Sequence, residues 1–427
     1  MKPIEFIETI KNGELDNDFR KLYGNDTSVL DAQKKRYEDA VNEFVKLFPD
    51  REDISVFSAP GRSEVGGNHT DHQHGCVIAA AVNLDIIAVV AFHDDGVVRL
   101  QSKGYPIDVV ELDNLSPCEE EYGKSSALIR GVVSRFADMG VKVGGFDAYT
   151  TSDVLGGSGL SSSAAFEVLV GTIIDLNYNN GNAGAVEIAK IGQYAENVFF
   201  GKKSGLMDQM VSSVGSFVYI DFKDTENPKI QKLYTKFEDA GYCLCITDTK
   251  GSHADLTPDY VAVPTEMNEI AAQFGKEYLR QVDENEFYNA LPELRNKCSD
   301  RAILRAGHFF AENRRAGLEA EALSKNDIAE FLRLVSESGN SSARWLQNVY
   351  SSRKPEEQGI SLGVFASERI LCGKGASRVH GGGFAGTIQA FVPVKMLDAY
   401  KAEMDRIFGE GSCQVLRIRP VGGIRIA

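Results

Sequence analysis

The sequence feature that most constrains this chain is a stretch rich in glycine and serine, Leu155 to Ala165, which reads Leu-Gly-Gly-Ser-Gly-Leu-Ser-Ser-Ser-Ala-Ala. Glycines let backbone N–H groups approach a ligand closely, and serines are favoured at helix N-caps. Apolar residues then recur at helical spacing, at Phe166, Leu169, Val170, Ile173 and Ile174. The pattern predicts an amphipathic helix that begins near Ser162 or Ser163, with serine at its N-cap.

A helix that begins in this way offers a place for an anion. Its first N–H groups have no partner within the helix and carry partial positive charge, so a glycine-rich approach suits a nucleotide phosphate. A flexible Gly/Ser turn that only caps a helix has a similar composition. The stretch alone leaves both interpretations open.

Composition excludes several classes of protein. The chain has 427 residues, enough for two or three domains, and its 43% hydrophobic and 25% charged residues are typical of globular proteins. A formal net charge of −15 argues against nucleic-acid and anionic-membrane partners, because both require a basic surface. Seven cysteines without a CxxC pair favour reduced thiols. With no signal-peptide pattern or long apolar run, we expect a soluble cytoplasmic protein.

A second polar segment, Gly61 to Gly75, follows a predicted strand at Ile54 to Ser58 and a predicted turn at Ala59 to Arg62. The segment contains Arg62, His69, Asp71, His72 and His74. A glycine-bearing loop with these side chains between strands predicts a functional site. Imidazole and carboxylate groups are ordinary zinc ligands, but the spacing matches no common zinc pattern, and hydrogen bonding to a polyol remains the alternative.

Asp208 is a third candidate, in the segment Gly205-Leu206-Met207-Asp208-Gln209. A carboxylate in this apolar setting is either functional or an ordinary acidic residue in the first turn of a helix, and the local sequence favours neither. Gly381 to Gly386 formally matches a dinucleotide fingerprint, but a strand is predicted after it, at 387–392, where the fingerprint requires a helix. The charge-rich helix predicted at 302–322 is expected to have solvated faces.

Four separated motifs together resemble the GHMP kinase superfamily and, within it, the galactokinase family. The motifs are Pro60-Gly61-Arg62 through His69-Thr70-Asp71, Gly159-Leu160-Ser161-Ser162-Ser163-Ala164-Ala165, Gly205-Leu206-Met207-Asp208-Gln209 and Gly381-Gly382-Gly383-Phe384-Ala385-Gly386. The resemblance implies an α+β fold of two GHMP kinase domains, with nucleotide and sugar held between them. Residues 1–225 are the expected N-terminal domain, similar to ribosomal protein S5 domain 2, and residues 226–427 the expected α+β C-terminal domain.

The resemblance also implies an activity, which is the transfer of phosphate from ATP, with Mg²⁺, to the C1 hydroxyl of a sugar. D-galactose is the first expected substrate. It implies Asp208 and Arg62 as the catalytic residues. The sugar-binding residues it implies are Asn68, His69, Asp71, Gly205 and Tyr260. The ATP-binding residues it implies are Gly156, Gly157, Ser158, Gly159, Leu160, Ser161, Ser162, Ser163, Gly382 and Gly383. Ser163 and Glu196 are the Mg²⁺ ligands it implies.

One departure from the family lies in the sugar loop, where Asn68 replaces a glutamate that faces the far end of the sugar. An amide still forms hydrogen bonds but carries no charge. A 1-kinase for another sugar, such as N-acetylgalactosamine, L-arabinose or a uronic acid, is therefore an alternative. A non-catalytic sensor of sugar and ATP is a second, which the intact Ser161 to Ala165 run and Asp208 disfavour. The expected partners are sugar and ATP, and the sequence does not indicate an oligomeric state.

Overall fold

The computed structural model describes residues 1–154, 159–235, 237–252 and 255–427. Its helices, in chain order, are α1 (Pro3–Lys11), α2 (Asp16–Tyr23), α3 (Thr27–Leu47), α4 (Ser125–Asp138), α5 (Ser162–Tyr178), α6 (Gly184–Tyr194), α7 (Met207–Val214), α8 (Thr257–Gln273), α9 (Glu284–Asn289), α10 (Leu291–Leu294), α11 (Asp300–Ser324), α12 (Ile328–Ser341), α13 (Gly359–Leu371) and α14 (Leu397–Phe408). Its strands, in chain order, are β1 (Ser55–Gly66), β2 (Cys76–Phe92), β3 (Val97–Ser102), β4 (Ile107–Glu111), β5 (Phe146–Ser152), β6 (Phe217–Asp221), β7 (Lys229–Leu233), β8 (Tyr242–Asp248), β9 (Ala376–Val379), β10 (Thr387–Pro393), β11 (Cys413–Leu416) and β12 (Ile424–Arg425). Short π-helical segments lie at Ala195–Phe200 and Ser342–Leu346, and a 3-10 turn lies at Asp71–Gln73.

The chain divides into two compact units. The first contains Met1–Arg62, Ala81–Ser216 and Arg419–Ala427, and the second contains Ser63–Ala80 and Phe217–Ile418. Strands β1 and β2 contribute residues to both. These units are defined by compactness, so the expected domains at 1–225 and 226–427 stay a prediction.

The first unit is built on a sheet with strand order β12-β1-β2-β5-β3-β4. Strand β5 is antiparallel to β2 and parallel to β3. Along the chain, β4 and α4 lie between β3 and β5. Apolar residues of α1, α2 and α3 pack with those of β1, β2 and β5 and with the C-terminal residues. Helix α5 packs against α4, α6 and α7. The N-termini of α5 and α7 carry two of the sequence motifs.

The second unit contains an antiparallel sheet with strand order β11-β8-β10-β9. A hairpin of β6 and β7 pairs with the start of β2, from Cys76 to Ala80. Helix α11 packs against α8 and α12. One apolar cluster joins α8 to α11, and another joins α13, α14 and the sheet. The loop 67–75 follows β1 directly and belongs to this unit.

Periodicity located several elements correctly. The helix expected after the glycine-serine stretch is α5, and the strand expected at 387–392 is β10, which confirms the rejection of a dinucleotide fingerprint. The turn predicted at Ala59 to Arg62 is wrong, because β1 continues to Gly66. The largely apolar residues from 76 to 92 form the single long strand β2.

Burial departs from the sequence pattern in two helices. Helix α5 is not amphipathic over its first turns, because every residue from Ala164 to Asp175 is buried. Helix α11 was expected to have solvated charged faces, yet Arg305, Glu312 and Glu319 are buried in it. These charges are held within the protein because α11 packs against α8 and α12. Among the described residues, no helix has both the length and the apolar character needed to cross a membrane.

Candidate active site

The catalytic candidates Arg62 and Asp208 form a two-pronged ion pair in the first unit. Arg62 Nε donates to Asp208 Oδ1 at 2.7 Å, and Nη2 donates to Oδ2 at 2.6 Å. The hydroxyl of Ser161 donates to the same Oδ2. Burial raises the pKa of Asp208, but Arg62 and then Ser161 outweigh it and hold the pKa below its usual value. Asp208 is therefore an ionised carboxylate with a fixed orientation.

The local backbone explains how these side chains meet. The N–H of Arg62, on β1, donates to the carbonyl of Leu160 at 3.1 Å. A Cβ at Gly61 would lie 3.0 Å from that carbonyl oxygen, so glycine permits the close approach. Ser161 stands at the N-cap of α5 with a left-handed φ of 54°. The expected capping role of a serine side chain is corrected, because Ser161 makes no capping bond and contacts Asp208 instead.

The predicted magnesium ligands also lie together in the first unit. Ser163 Oγ donates to Glu196 Oε1 at 3.2 Å, and Lys202 Nζ lies 2.9 Å from the same oxygen. Glu196 belongs to the π-helical segment after α6 and is only 2% exposed. A hydroxyl and a carboxylate are oxygen donors of the kind that Mg²⁺ prefers, with phosphates and water supplying its other ligands. The residues present therefore fit a magnesium ion.

A buried amide connects two carboxylates behind this pair. Gln209 Nε2 donates to Glu196 Oε2 and to Glu167 Oε2, both at 2.9 Å. Glu167 and Gln209 have no exposed surface. Burial, reinforced by the charge of Glu196, raises the pKa of Glu167 well above its usual value. In the described part of the chain, Glu167 Oε1 and Gln209 Oε1 are buried without a hydrogen-bond partner.

The predicted phosphate site is described in part. Gly156, Gly157 and Ser158 lie outside the described residues. Gly159 and Leu160 lead into Ser161, and Ser162 and Ser163 are the first two residues of α5. Their backbone N–H groups are thus the donors at the helix N-terminus that the sequence predicted for a phosphate.

Asn68 is buried in the second unit, and the protein itself uses its side chain. Asn68 Nδ2 donates to Glu64 Oε1 at 3.0 Å and to the carbonyl of Gly381 at 2.8 Å. Its Oδ1 accepts from Ser342 Oγ at 3.1 Å and from Asn348 Nδ2 at 2.9 Å. Both donors of the amide are used, and the side chain has no exposed surface. This geometry argues against the predicted contact between Asn68 and a sugar.

His69 and Asp71 begin the turn of the same loop. His69 has a left-handed φ of 61°, and its Nε2 lies 2.8 Å from the carbonyl oxygen of Gly382. Burial, followed by the neighbouring His72, lowers the pKa of His69 to about 4. The neutral ring therefore donates from Nε2 to that carbonyl. Asp71 starts the 3-10 turn and is partly exposed. Among the described residues, no group of three or more His, Cys, Asp and Glu side chains is arranged to hold a metal.

Tyr260 and the glycine motif form a second set of contacts in this unit. The Tyr260 hydroxyl donates to the carbonyl of Gly383 at 2.8 Å, and its ring packs edge-on against Phe384 at 5.3 Å. A Cβ at Gly382 would lie 2.8 Å from the Tyr260 ring. The motif carbonyls thus accept hydrogen bonds from the sugar-loop residues and from Tyr260. Their predicted contact with ATP stays a prediction, as does the role of Gly205, which lies in the first unit just before α7.

Charged side chains buried behind the loop complete its support. Arg378 Nη2 donates to Glu64 Oε1 at 2.9 Å. Glu312 Oε1 accepts from the backbone N–H of Asn68 at 3.4 Å. Burial lowers the pKa of His308, whose Nε2 lies 3.0 Å from the carbonyl oxygen of Asn68. Polar groups of α11 therefore hold the loop directly, and Arg378 of β9 supports it through Glu64, which accepts from Asn68.

Sequence reasoning missed Glu167, Gln209 and Lys202 around the magnesium candidates. Gln209 stood in a quoted motif without an assigned role. Glu167 occupies an early turn of α5, where an acidic residue amid apolar neighbours was the available signal. Glu64 was missed because a charge within a strand gives no sign of its partner, Arg378, at the other end of the chain.

Comparison with known proteins identifies the family of this chain. The galactokinase galactose-binding signature matches residues 42–92, and the GHMP kinases N terminal domain matches residues 127–216. Galactokinase of Actinobacillus pleuropneumoniae serotype 5b is 32% identical over 339 residues, covering 78% of this chain and 84% of that protein. Galactokinase of Clostridium tetani is 29% identical over 375 residues, covering 86% and 91%.

Solved structures show the same fold. The structure of Lactococcus lactis galactokinase complexed with galactose matches with a TM-score of 0.74 at 23% identity, covering 90% of this chain and 98% of that one. Methanococcus jannaschii mevalonate kinase matches with a TM-score of 0.61 at 14% identity, covering 86% and 98%. The expected GHMP kinase fold is confirmed. Because a galactokinase is 32% identical to this chain over 78% of its length, the chain belongs to the galactokinase family of GHMP kinases.

Proposed function

We propose that this protein is a sugar 1-kinase that transfers the γ-phosphoryl group of ATP to the C1 hydroxyl of D-galactose. The observation that supports this most is the ion pair of Arg62 and Asp208, which lies beside the N-terminus of α5. An ionised carboxylate can orient the attacking hydroxyl, and a fixed guanidinium can stabilise charge that develops during transfer. The galactokinase relatives support the choice of substrate.

In this proposal the C1 hydroxyl donates a hydrogen bond to the Asp208 carboxylate. This contact orients the hydroxyl oxygen toward the γ-phosphorus of ATP. Asp208 is ionised at neutral pH, since Arg62 holds its pKa below the usual value. It can therefore accept the proton as the C1 oxygen bonds to the γ-phosphorus and the bond from that phosphorus to the ADP oxygen breaks. Arg62 keeps that carboxylate charged and stabilises negative charge that develops during transfer. Phosphoryl transfer depends mainly on such positioning and charge stabilisation.

Ser163 and Glu196 hold Mg²⁺ in this proposal. When bound there, the ion would supply positive charge that offsets the charge of the ATP phosphates. The N–H groups at the start of α5 bind the phosphates directly, and Lys202, whose side chain is 61% exposed, supplies a further positive charge next to Glu196.

The loop 67–75 is the proposed sugar-binding loop. His69, Asp71 and Tyr260 are proposed to contact the sugar, with Asp71 accepting from neighbouring hydroxyls. Because both donors of Asn68 are used within the protein, the far end of the sugar loses one expected contact. Acceptors altered at that end, such as L-arabinose or a uronic acid, are the alternative substrates. A cytoplasmic location, also expected from the sequence, stays part of the proposal.

A panel of sugars tests this function. Purified protein is incubated with ATP, Mg²⁺ and D-galactose, N-acetylgalactosamine, L-arabinose or galacturonic acid, and ADP release and the 1-phosphate are measured. The proposal expects the highest kcat/KM with D-galactose. Strong turnover of another sugar with negligible turnover of galactose would replace the substrate. Sugar and ATP binding without ADP release from any sugar would favour the sensor.

A further inference from the structure

Two neighbouring side chains at the start of α7 point to different parts of the candidate site. Asp208 contacts Arg62 and Ser161, whereas Gln209 contacts Glu196 and Glu167. Both are in the first turn of the helix. One helical turn thus carries Asp208, the residue proposed to orient the hydroxyl, and Gln209, which contacts the proposed Mg²⁺ ligand Glu196.

We propose that Gln209 is a positioning residue that fixes the Glu196 carboxylate for Mg²⁺, with Glu167 as the buried anchor of the Gln209 amide. The inference rests on the proposed function, which assigns Mg²⁺ to Glu196. Neither Gln209 nor Glu167 is placed in contact with substrate.

The hydrogen bonds at Glu196 divide between its two oxygens. Oε1 faces Ser163 and Lys202 and is the oxygen available to a cation, whereas Oε2 accepts from Gln209. A carboxylate held through one oxygen presents the other in a fixed direction. Residues that orient a ligand from behind in this way affect metal affinity strongly, by about 10- to 100-fold.

The amide is held as firmly as the carboxylate. Its second N–H donates to Glu167 Oε2, and both side chains are fully buried, so rotation of the amide would leave two donors unpaired. Gly192 of α6 lies against them, since a Cβ there would be 3.1 Å from Gln209 Cγ and 3.1 Å from Glu167 Cβ. The backbone of α6 therefore packs closely against this contact between α5 and α7.

Calorimetric binding of ADP, with saturating Mg²⁺ and with EDTA, tests the inference in the full-length protein. Gln209→Met keeps the length of the side chain but removes its donors. It is expected to weaken ADP binding with Mg²⁺ by about tenfold or more and to leave binding with EDTA unchanged. In turnover, the Mg²⁺ concentration for half-maximal rate rises, while kcat at saturating Mg²⁺ is largely recovered.

Three further variants complete the test. Glu167→Leu removes the anchor and is expected to weaken ADP binding with Mg²⁺ as Gln209→Met does. Glu167→Gln retains an acceptor for the Gln209 amide, so it is expected to keep the parental affinity for ADP with Mg²⁺. Ser213→Ala, which removes a 2.7 Å hydrogen bond from the same helix to the carbonyl of Ala185, is the control that leaves Mg²⁺ dependence unchanged.

Two results overturn the inference. One is parental affinity for ADP with Mg²⁺ in Gln209→Met, and the other is an equal loss of affinity with Mg²⁺ and with EDTA, which would mean general damage to the nucleotide site. Failure of the proposed function looks different. A parent protein that binds ADP in a Mg²⁺-dependent manner but phosphorylates no sugar would contradict the activity and leave the role of Gln209 standing.

Discussion

Asp208 has the most clearly defined chemistry of any single residue in this protein. Asp208→Asn keeps the size of the side chain but removes its charge and its ability to accept a proton. We expect ATP binding to be retained and kcat to fall by about 10²- to 10⁴-fold, the range for loss of a general base. Steady-state kinetics and calorimetric ADP binding measure the two effects.

A matched control exists in the second unit, where Asp221 accepts two hydrogen bonds from Arg280 Nη2, at 2.9 and 2.8 Å. Asp221→Asn disrupts an arginine–aspartate pair outside the candidate site, and this variant is expected to keep the parental turnover. If Asp208→Asn kept near-parental kcat, the catalytic role of Asp208 would be wrong.

Arg62 sets the pH range in which Asp208 is ionised. Because the guanidinium favours the charged carboxylate, it lowers the pKa of Asp208, and the active form persists to lower pH. Arg62→Gln removes this charge, so the carboxylate protonates at a higher pH. Besides a lower rate, the acid limb of the pH profile of kcat/KM should move to higher pH. An acid limb at an unchanged pH would show that Arg62 does not control this ionisation.

At the scale of elements, the glycine motif between β9 and β10 holds the sugar loop through its backbone. Gly383 has a left-handed φ of 81°, and a Cβ there would lie 2.1 Å from the carbonyl oxygen of Asn348. Gly381 has a similar φ of 65°, but a Cβ there would meet nothing within 4 Å. The two positions therefore separate backbone strain from a steric clash.

We expect Gly381→Ala to destabilise the protein by about 1 kcal/mol, the strain of a left-handed residue with a side chain. Gly383→Ala adds the clash with Asn348 and so disturbs the support of Asn68. It should lose more unfolding free energy and bind sugar more weakly than Gly381→Ala. Chemical denaturation and sugar titration measure both. Equal effects of the two substitutions would mean that the clash is relieved without cost.

Elements with strong local signals were predictable, and their partners were not. Helix α5 and strand β10 follow from periodicity because spacing of apolar residues is a local property. The link from Ser161 to Asp208 joins residues 47 apart, and the link from Arg378 to Glu64 joins residues 314 apart. No periodic pattern encodes such pairs. The family motifs indicated which residues matter. That the Asn68 amide forms hydrogen bonds within the protein is seen only in the structure.

At the scale of the whole molecule, the two ends of the chain meet in the first unit around one buried carboxylate. Asp85 of β2 accepts from Arg36 of α3 at 2.7 Å and from Arg419, near the C-terminus, at 3.0 Å. The hydroxyl of Tyr23 donates to it at 2.7 Å. Burial raises the pKa of Asp85, but Arg36 and then Arg419 outweigh this and hold it below its usual value.

This charge cluster makes the stability of the first unit depend on the C-terminal segment. Arg419 and Asp85 are both fully buried, so Arg419→Met leaves a buried carboxylate with one fewer cation and should destabilise the protein by about 3–5 kcal/mol. Lys35→Met, which removes an exposed ion pair with Asp39 on α3, is the control and should have little effect.

Because the folded pKa of Asp85 is lowered, the stability that the Asp85 carboxylate contributes is present above the unfolded pKa of about 3.9. That contribution is lost as pH falls through the folded pKa. Arg419→Met reduces that contribution, so the difference in unfolding free energy from the parent should shrink in acid. Denaturation across this pH range measures the difference, and a difference that stays constant with pH would contradict the assignment to Asp85.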